Sequence, residues 1–177
     1  MLDKSDAEDK DAVVVTRKTA DKYDLASIGD LKEVAGDLTL GGPPEWKTRP
    51  TGVPGLEKLY GVKFDSFRAL DAGGPLSVQA LKNGQVDAAN LFTTDPNIPP
   101  ANDFVALEDP EHLFAAQNVV PPLIAKSKAD ETVTDALNAV SAALDTETLA
   151  GLLEQVVLDK KDAADVAKEF LAANGLD

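Results

Sequence analysis

The chain has 177 residues, 44% of them hydrophobic, enough for one ordinary domain or one and a half small ones with a buried core. Its 31 Asp and Glu outnumber 17 Lys and Arg, and the net charge of -14, which would repel a phosphate backbone, argues against a nucleic-acid partner. Cysteine is absent, which removes disulfides, thiolate metal sites and cysteine nucleophiles, and no apolar run reaches the roughly 18 residues of a membrane span.

Residues 1–10 carry many charges and little that is apolar, and they read as a tail; the start, Met1 to Asp6, shows no signal-peptide pattern. Ala12-Val13-Val14-Val15-Thr16 is a β-branched run that predicts a buried strand. A short helix is expected from about Thr19 to Tyr23. A second is expected after Ser27, with Asp30 at its third position and Gly36 as its stop. Leu38 to Leu40 reads as a strand ending in Gly41-Gly42-Pro43-Pro44, a segment that cannot be helical. A helix from Pro54 to Tyr60 stops at Gly61, and Phe64 to Leu70 reads as a strand. Pro75 opens another helix, closed by Gly84. Further strands are expected at Val86–Phe92, Phe104–Leu107 and Val119–Ala125.

After Lys126 the apolar period becomes helical. Val133, Leu137, Val140 and Leu144 form one stripe, and Leu149, Leu152, Leu153, Val156 and Val157 a second. Asp162 is placed to cap a last helix burying Val166, Phe170 and Leu171. Strands alternating with helices, then helices alone, predict an α/β domain over 11–126 and a helical segment over 127–177.

Little supports catalysis. His112 is the single histidine, set in the acidic stretch Glu108 to His112, so neither a Ser-His-Asp arrangement nor a zinc pair can be assembled from it. The N-terminal acids lack the spacing of a calcium loop, and neither Gly41-Gly42 nor Gly73-Gly74 is followed by the Lys of a phosphate loop. No cofactor, metal or catalytic residue is assigned, and the chain reads as a non-enzyme.

Four segments, in order, resemble the substrate-binding proteins of osmoprotectant ABC transporters, the glycine betaine/choline/carnitine-binding family. They are Gly41-Gly42-Pro43-Pro44-Glu45-Trp46-Lys47-Thr48-Arg49 onward to Leu56; Leu70-Asp71-Ala72-Gly73-Gly74-Pro75 with Gln79 to Asp87; Asn90-Leu91-Phe92-Thr93-Thr94-Asp95-Pro96; and Leu107-Glu108-Asp109-Pro110 with Gln117-Asn118-Val119-Val120-Pro121. The resemblance implies a type II periplasmic-binding-protein-like α/β fold, in which two lobes hold a ligand between them. It implies one complete lobe here, with crossing strands at both ends, plus C-terminal helices belonging to the other lobe. Family members are longer at the N-terminus, so the chain is expected to be a fragment with reduced or no binding. They work outside the cytoplasmic membrane, periplasmic or as lipoproteins, and deliver solute to a permease. A homodimer through the C-terminal helices is a further expectation, because helices without their lobe expose apolar stripes.

A quaternary ammonium cannot donate a hydrogen bond, so it is recognised by aromatic faces and negative charge. A betaine carboxylate calls for the bidentate donor arginine. The resemblance places Arg49 at the carboxylate-binding position and Phe92 in the aromatic cage. A surface arginine paired with Glu45 or Glu57, and a core phenylalanine, are the alternatives. Where betaine-binding members carry tyrosines at the two crossings, this chain has Asp11 and Gln117. Asp11 could neutralise a cation or be a solvated acid of the tail, and Gln117 could bond a polar ligand. That departure opens the ligand class to other polar zwitterions or cations. Trp46, Tyr23 and Tyr60 are expected to pack rather than bind.

Overall fold

The computed structural model describes residues 2–98, 103–121 and 130–176. They divide into two compact units, Lys10–Ala115 and the combination of Met1–Asp9 with Ala116–Asp177.

Lys10–Ala115 is built on a sheet of five strands: β1 (Asp11–Thr16), β2 (Thr39–Gly42), β3 (Ser66–Ala69), β4 (Ala88–Phe92) and β5 (Phe104–Ala106). Their order is β3-β2-β4-β1-β5. β2 runs parallel to β3 and β4, whereas β1 is antiparallel to β4 and β5. The start of β1 therefore shares one sheet edge with the ends of β2, β3 and β4. Val13, Val14 and Val15 are each fully buried, because side chains alternate between two covered faces. Val13, Val15, Leu40 and Ala88 join one core with Ile28, Leu31, Trp46 and Leu56. Val14, Ala89 and Leu91 join the other with Ala80, Leu81 and Phe104.

Local signals account for most of the helices in this unit. Helix α1 (Arg17–Tyr23) starts where the Thr16 hydroxyl accepts the Thr19 N–H. The segment after Ser27 differs from expectation. It is a 3₁₀ turn, Ile28–Glu33, followed by a second, Ala35–Asp37, so Gly36 lies inside a turn rather than ending a helix. The bonds Val34 N–H to Leu31 O and Leu38 N–H to Ala35 O close at three-residue spacing, which is why the winding is tight. Pro44–Lys47 is likewise a 3₁₀ turn directly after β2, although the double proline had argued against any helical winding there. Pro43 stays extended and Pro44 occupies the first position of the turn, where its missing N–H is not needed. Helix α2 (Val53–Gly55) continues as a π-turn, Leu56–Tyr60, ended by Gly61 at φ +68°. Helix α3 (Pro75–Lys82) opens on Pro75.

In the other unit, α4 (Glu131–Ala142), α5 (Thr146–Val157) and α6 (Ala163–Ala173) are capped in turn by Asp130, Asp145 and Asp162. The first ten residues are not a free tail. Ser5 N–H bonds Val119 O, Val119 N–H bonds Ala7 O, and Asp9 N–H bonds Gln117 O. Ala7 is fully buried and Ser5 nearly so. This pairing draws 2–9 and 116–121 into one unit, and the sheet-bearing unit ends at Ala115. Residues 119–121 are not a strand, and the rest of the strand expected at 119–125 lies outside the described residues, as does the expected boundary at 126.

Candidate functional site

The shared edge of the sheet in Lys10–Ala115 gathers the polar residues. Asp11 opens β1 and stands opposite Phe92 in the antiparallel register, with Val13 opposite Asn90. Residues directly opposite point to the same face, so Asp11, Asn90 and Phe92 share the face that carries Val13 and Val15. Ligands of open α/β sheets bind outside the carboxyl ends of parallel strands, which here is this edge.

Asp11 is 6% exposed. That rules out the solvated-acid reading. Its Oδ2 accepts Arg49 Nη2 at 3.0 Å, and its Oδ1 accepts Asn90 Nδ2 at 2.9 Å. Its charge is thus compensated by Arg49, which differs from the direct cation partner considered above. The Arg49 side chain is 42% exposed, against 7% for Asp11. It pairs with Asp11 rather than with Glu45 or Glu57. Glu45 helps through its backbone: Glu45 O accepts the N–H of Thr48 and of Arg49, and Arg49 O accepts the N–H of Gly52. Gly52 closes this loop under Trp46, where a Cβ would lie 2.2 Å from the Trp46 carbonyl oxygen. Trp46 is fully buried and stacks on Phe114 with centroids 5.7 Å apart, so the loop is anchored in the core.

Phe92 is half-buried. Its ring lies over Gly73, whose φ of +65° suits glycine and where a Cβ would meet the ring at 2.6 Å. Gly42, at the end of β2, presents no side chain beside Asn90 and Phe67. Gln117 belongs to the other unit, where its side chain is exposed and its carbonyl accepts Asp9 N–H. The structure thus bonds Arg49 to Asp11 and sets Phe92 opposite Asp11 across the β1–β4 ladder.

Asn90 was not singled out from sequence. The signal was there: one amide in the otherwise apolar strand Ala88-Ala89-Asn90-Leu91-Phe92. Asn90 is 1% exposed, its Nδ2 also donates to Leu91 O at 3.2 Å, and its Oδ1 has no partner.

Neighbouring carboxylates are structural. Asp71 accepts the N–H of Leu76 and Ser77 and the Ser77 hydroxyl, so it caps α3. Partial burial opposes its charge, but the Ser77 and Leu76 bonds outweigh burial and hold its carboxyl below the usual range. Asp109 accepts the Tyr60 hydroxyl and the N–H of Leu113 and Phe114. Burial first, then that bond to Asp109, pushes the Tyr60 phenol well above its ordinary value. Tyr60 is therefore a packing residue. His112 is exposed at φ +53°. Among the described residues no group of three His, Cys, Asp or Glu could hold a metal.

Known proteins align with this arrangement over almost the whole chain. The carnitine transport binding protein OpuCC of Listeria monocytogenes is 29% identical over 169 residues, covering 91% of this chain and 52% of that protein. The glycine betaine-binding protein YehZ of Escherichia coli K12 is 28% identical, covering 92% of this chain and 56% of that protein. The chain spans about half the length of the curated relatives it matches. The crystal structure of a glycine betaine/carnitine/choline ABC transporter superposes with a TM-score of 0.85 at 26% identity, over 99% of this chain and 64% of that one. The fold is that of the type II periplasmic binding proteins. These relatives are solute-binding proteins of ABC transporters, not enzymes. The family model described as the substrate-binding domain of ABC-type glycine betaine transport systems matches residues 1–173, and the chain belongs to that family.

Proposed function

We propose that Lys10–Ala115 is the ligand-capturing lobe of the solute-binding component of an ABC importer, and that Arg49 receives the carboxylate of a small zwitterion such as glycine betaine or carnitine. The carrying observation is the Asp11–Arg49 pair: a nearly buried carboxylate holds one side of a half-exposed guanidinium. A guanidinium fixed from behind keeps further N–H donors for a second carboxylate, and little side-chain freedom is lost when ligand arrives. Phe92 offers a ring face for the quaternary ammonium, worth about 0.5–2 kcal/mol depending on desolvation. Asp11 does not serve the cation here, because Arg49 already neutralises it. Choline has no carboxylate and gains nothing from Arg49, so it is the weaker ligand. In this reading such a component delivers its solute to a membrane permease from outside the cytoplasmic membrane.

The test is an NMR titration of the labelled 177-residue chain with glycine betaine, carnitine and choline, which detects affinities into the millimolar range. Carnitine and glycine betaine are expected to shift amides at Asp11, Arg49 and Phe92, with choline trailing. Unchanged spectra at saturating ligand, or equal shifts in Arg49→Ala, would sink the assignment.

A second reading, self-association through the C-terminal helices, is favoured by one observation. Val133 on α4, Val157 on α5 and Leu158 directly after α5 are 38%, 43% and 41% exposed. Light scattering that gives a monomer mass at every concentration would dispose of it.

A further inference from the structure

At the other end of β1 from Asp11, the Lys10–Ala115 unit carries a groove of about 660 Å³. Arg17, Lys18, Lys22 and Lys82 all line it. The chain has only 17 Lys and Arg against 31 acids, so four cations around one groove run against the charge of the whole molecule. Among the described residues, none of the four makes an ion pair.

The two lysines are held by neutral groups. Lys22 Nζ donates to the Tyr23 hydroxyl at 2.7 Å and sits 4.4 Å from the centre of that ring. Lys82 Nζ donates to Asn97 Oδ1 at 2.8 Å and lies 5.7 Å from the centre of the Phe104 ring. Such partners orient an ammonium without cancelling its charge, and each keeps donors to spare. Two acids also line the groove. The Asp87 carboxylate accepts Thr39 N–H at 2.8 Å and also favours the Lys22 charge through space, so it offsets part of that charge, and Asp103 is exposed. Four cations against two carboxylates leave a net positive groove.

We propose that this groove is an anion site for a compact, multiply charged oxyanion of the phosphate class, either free in solution or carried on a lipid headgroup. Lys22 and Lys82 are its fixed contacts, and Arg17 and Lys18 supply a flexible second pair. The site is distinct from the Asp11–Arg49 edge and does not depend on which solute that edge takes.

Calorimetric titration of the full chain with pyrophosphate at constant ionic strength tests it, beside Lys22→Gln/Lys82→Gln and a charge-matched control, Lys160→Gln/Lys161→Gln. All four residues are exposed, so the fold is expected to survive, with circular dichroism as the check. The expected result is one saturable site, weakened about tenfold or more in the groove variant and unchanged in the control, as for two lost charge-assisted contacts. No saturable binding, or equal loss in both variants, overturns it. A parallel arm uses vesicles with and without phosphatidic acid. Groove-dependent binding to the acidic vesicles assigns the headgroup as source, and groove-dependent binding of pyrophosphate alone assigns the free anion. Vesicle binding that the groove variant retains counts against the site.

Discussion

Asp11 and Arg49 lie 38 residues apart in sequence and meet at 3.0 Å on the carboxyl edge of the sheet. Asp11 is nearly buried and Arg49 half-exposed, so the pair is asymmetric. The acid belongs to the framework and the base faces outward. Removing either partner has different consequences.

Arg49→Ala leaves a nearly buried carboxylate with Asn90 as its remaining side-chain donor among the described residues. The expected loss of stability is about 1–3 kcal/mol, read from urea unfolding. Asp11→Asn keeps the shape and frees the guanidinium to move. Its expected signature is a modest stability change, below about 1.5 kcal/mol, with a larger loss of carnitine affinity. Equal effects of the two variants on stability and on binding would contradict the asymmetric roles.

The loop bearing Arg49 is closed by contact between Gly52 and the Trp46 carbonyl. Gly52→Ala forces backbone apart, and a cost of about 2–3 kcal/mol is expected, together with weaker ligand binding. Gly84→Ala is the comparison. No atom lies within 4 Å of its Cβ position, and only the φ of +65° is unfavourable, so about 1 kcal/mol is expected with binding intact. Thermal unfolding of both proteins checks the ordering.

Trp46 has a buried Nε1 without a partner. Trp46→Phe removes that orphan donor along with some volume, and the two changes offset, so a loss under about 1.5 kcal/mol is expected. Trp46→Ala empties the space beside Phe114 and is expected to cost about 3–5 kcal/mol. Denaturant midpoints decide. A Phe variant as unstable as the Ala variant would mean that the indole N–H is bonded in solution.

Asp71 links α3 to pH. Its folded value lies below the ordinary 3.8, so its contribution is full above 3.8 and fades as pH falls through the depressed value. Asp71→Ala is expected to cost about 1 kcal/mol near neutrality, as for a lost helix cap. The gap from the parent should close on acidification. A difference that stays constant down to pH 2 would show that the cap works without its charge.

Much of the framework was legible in the sequence, because its signals act over a few residues. The valine run of β1, Gly61 at a left-handed stop, Pro75 in a first turn and Asp162 as a cap each constrain the backbone locally. The candidate site was only partly legible. Arg49, Phe92 and Asp11 were named, but on a resemblance and not on any local pattern. Tertiary structure decided what they touch. The Asn90–Asp11 bond spans 79 residues and exists only because β1 and β4 pair antiparallel in a register that puts Asp11 opposite Phe92. A separate long-range pairing made the charged start of the chain part of the second unit: Ser5 N–H donates to Val119 O, and Val119 N–H donates to Ala7 O. Composition and periodicity carry no information about such partners, since a one-residue slip in register would send the same side chains to the opposite face.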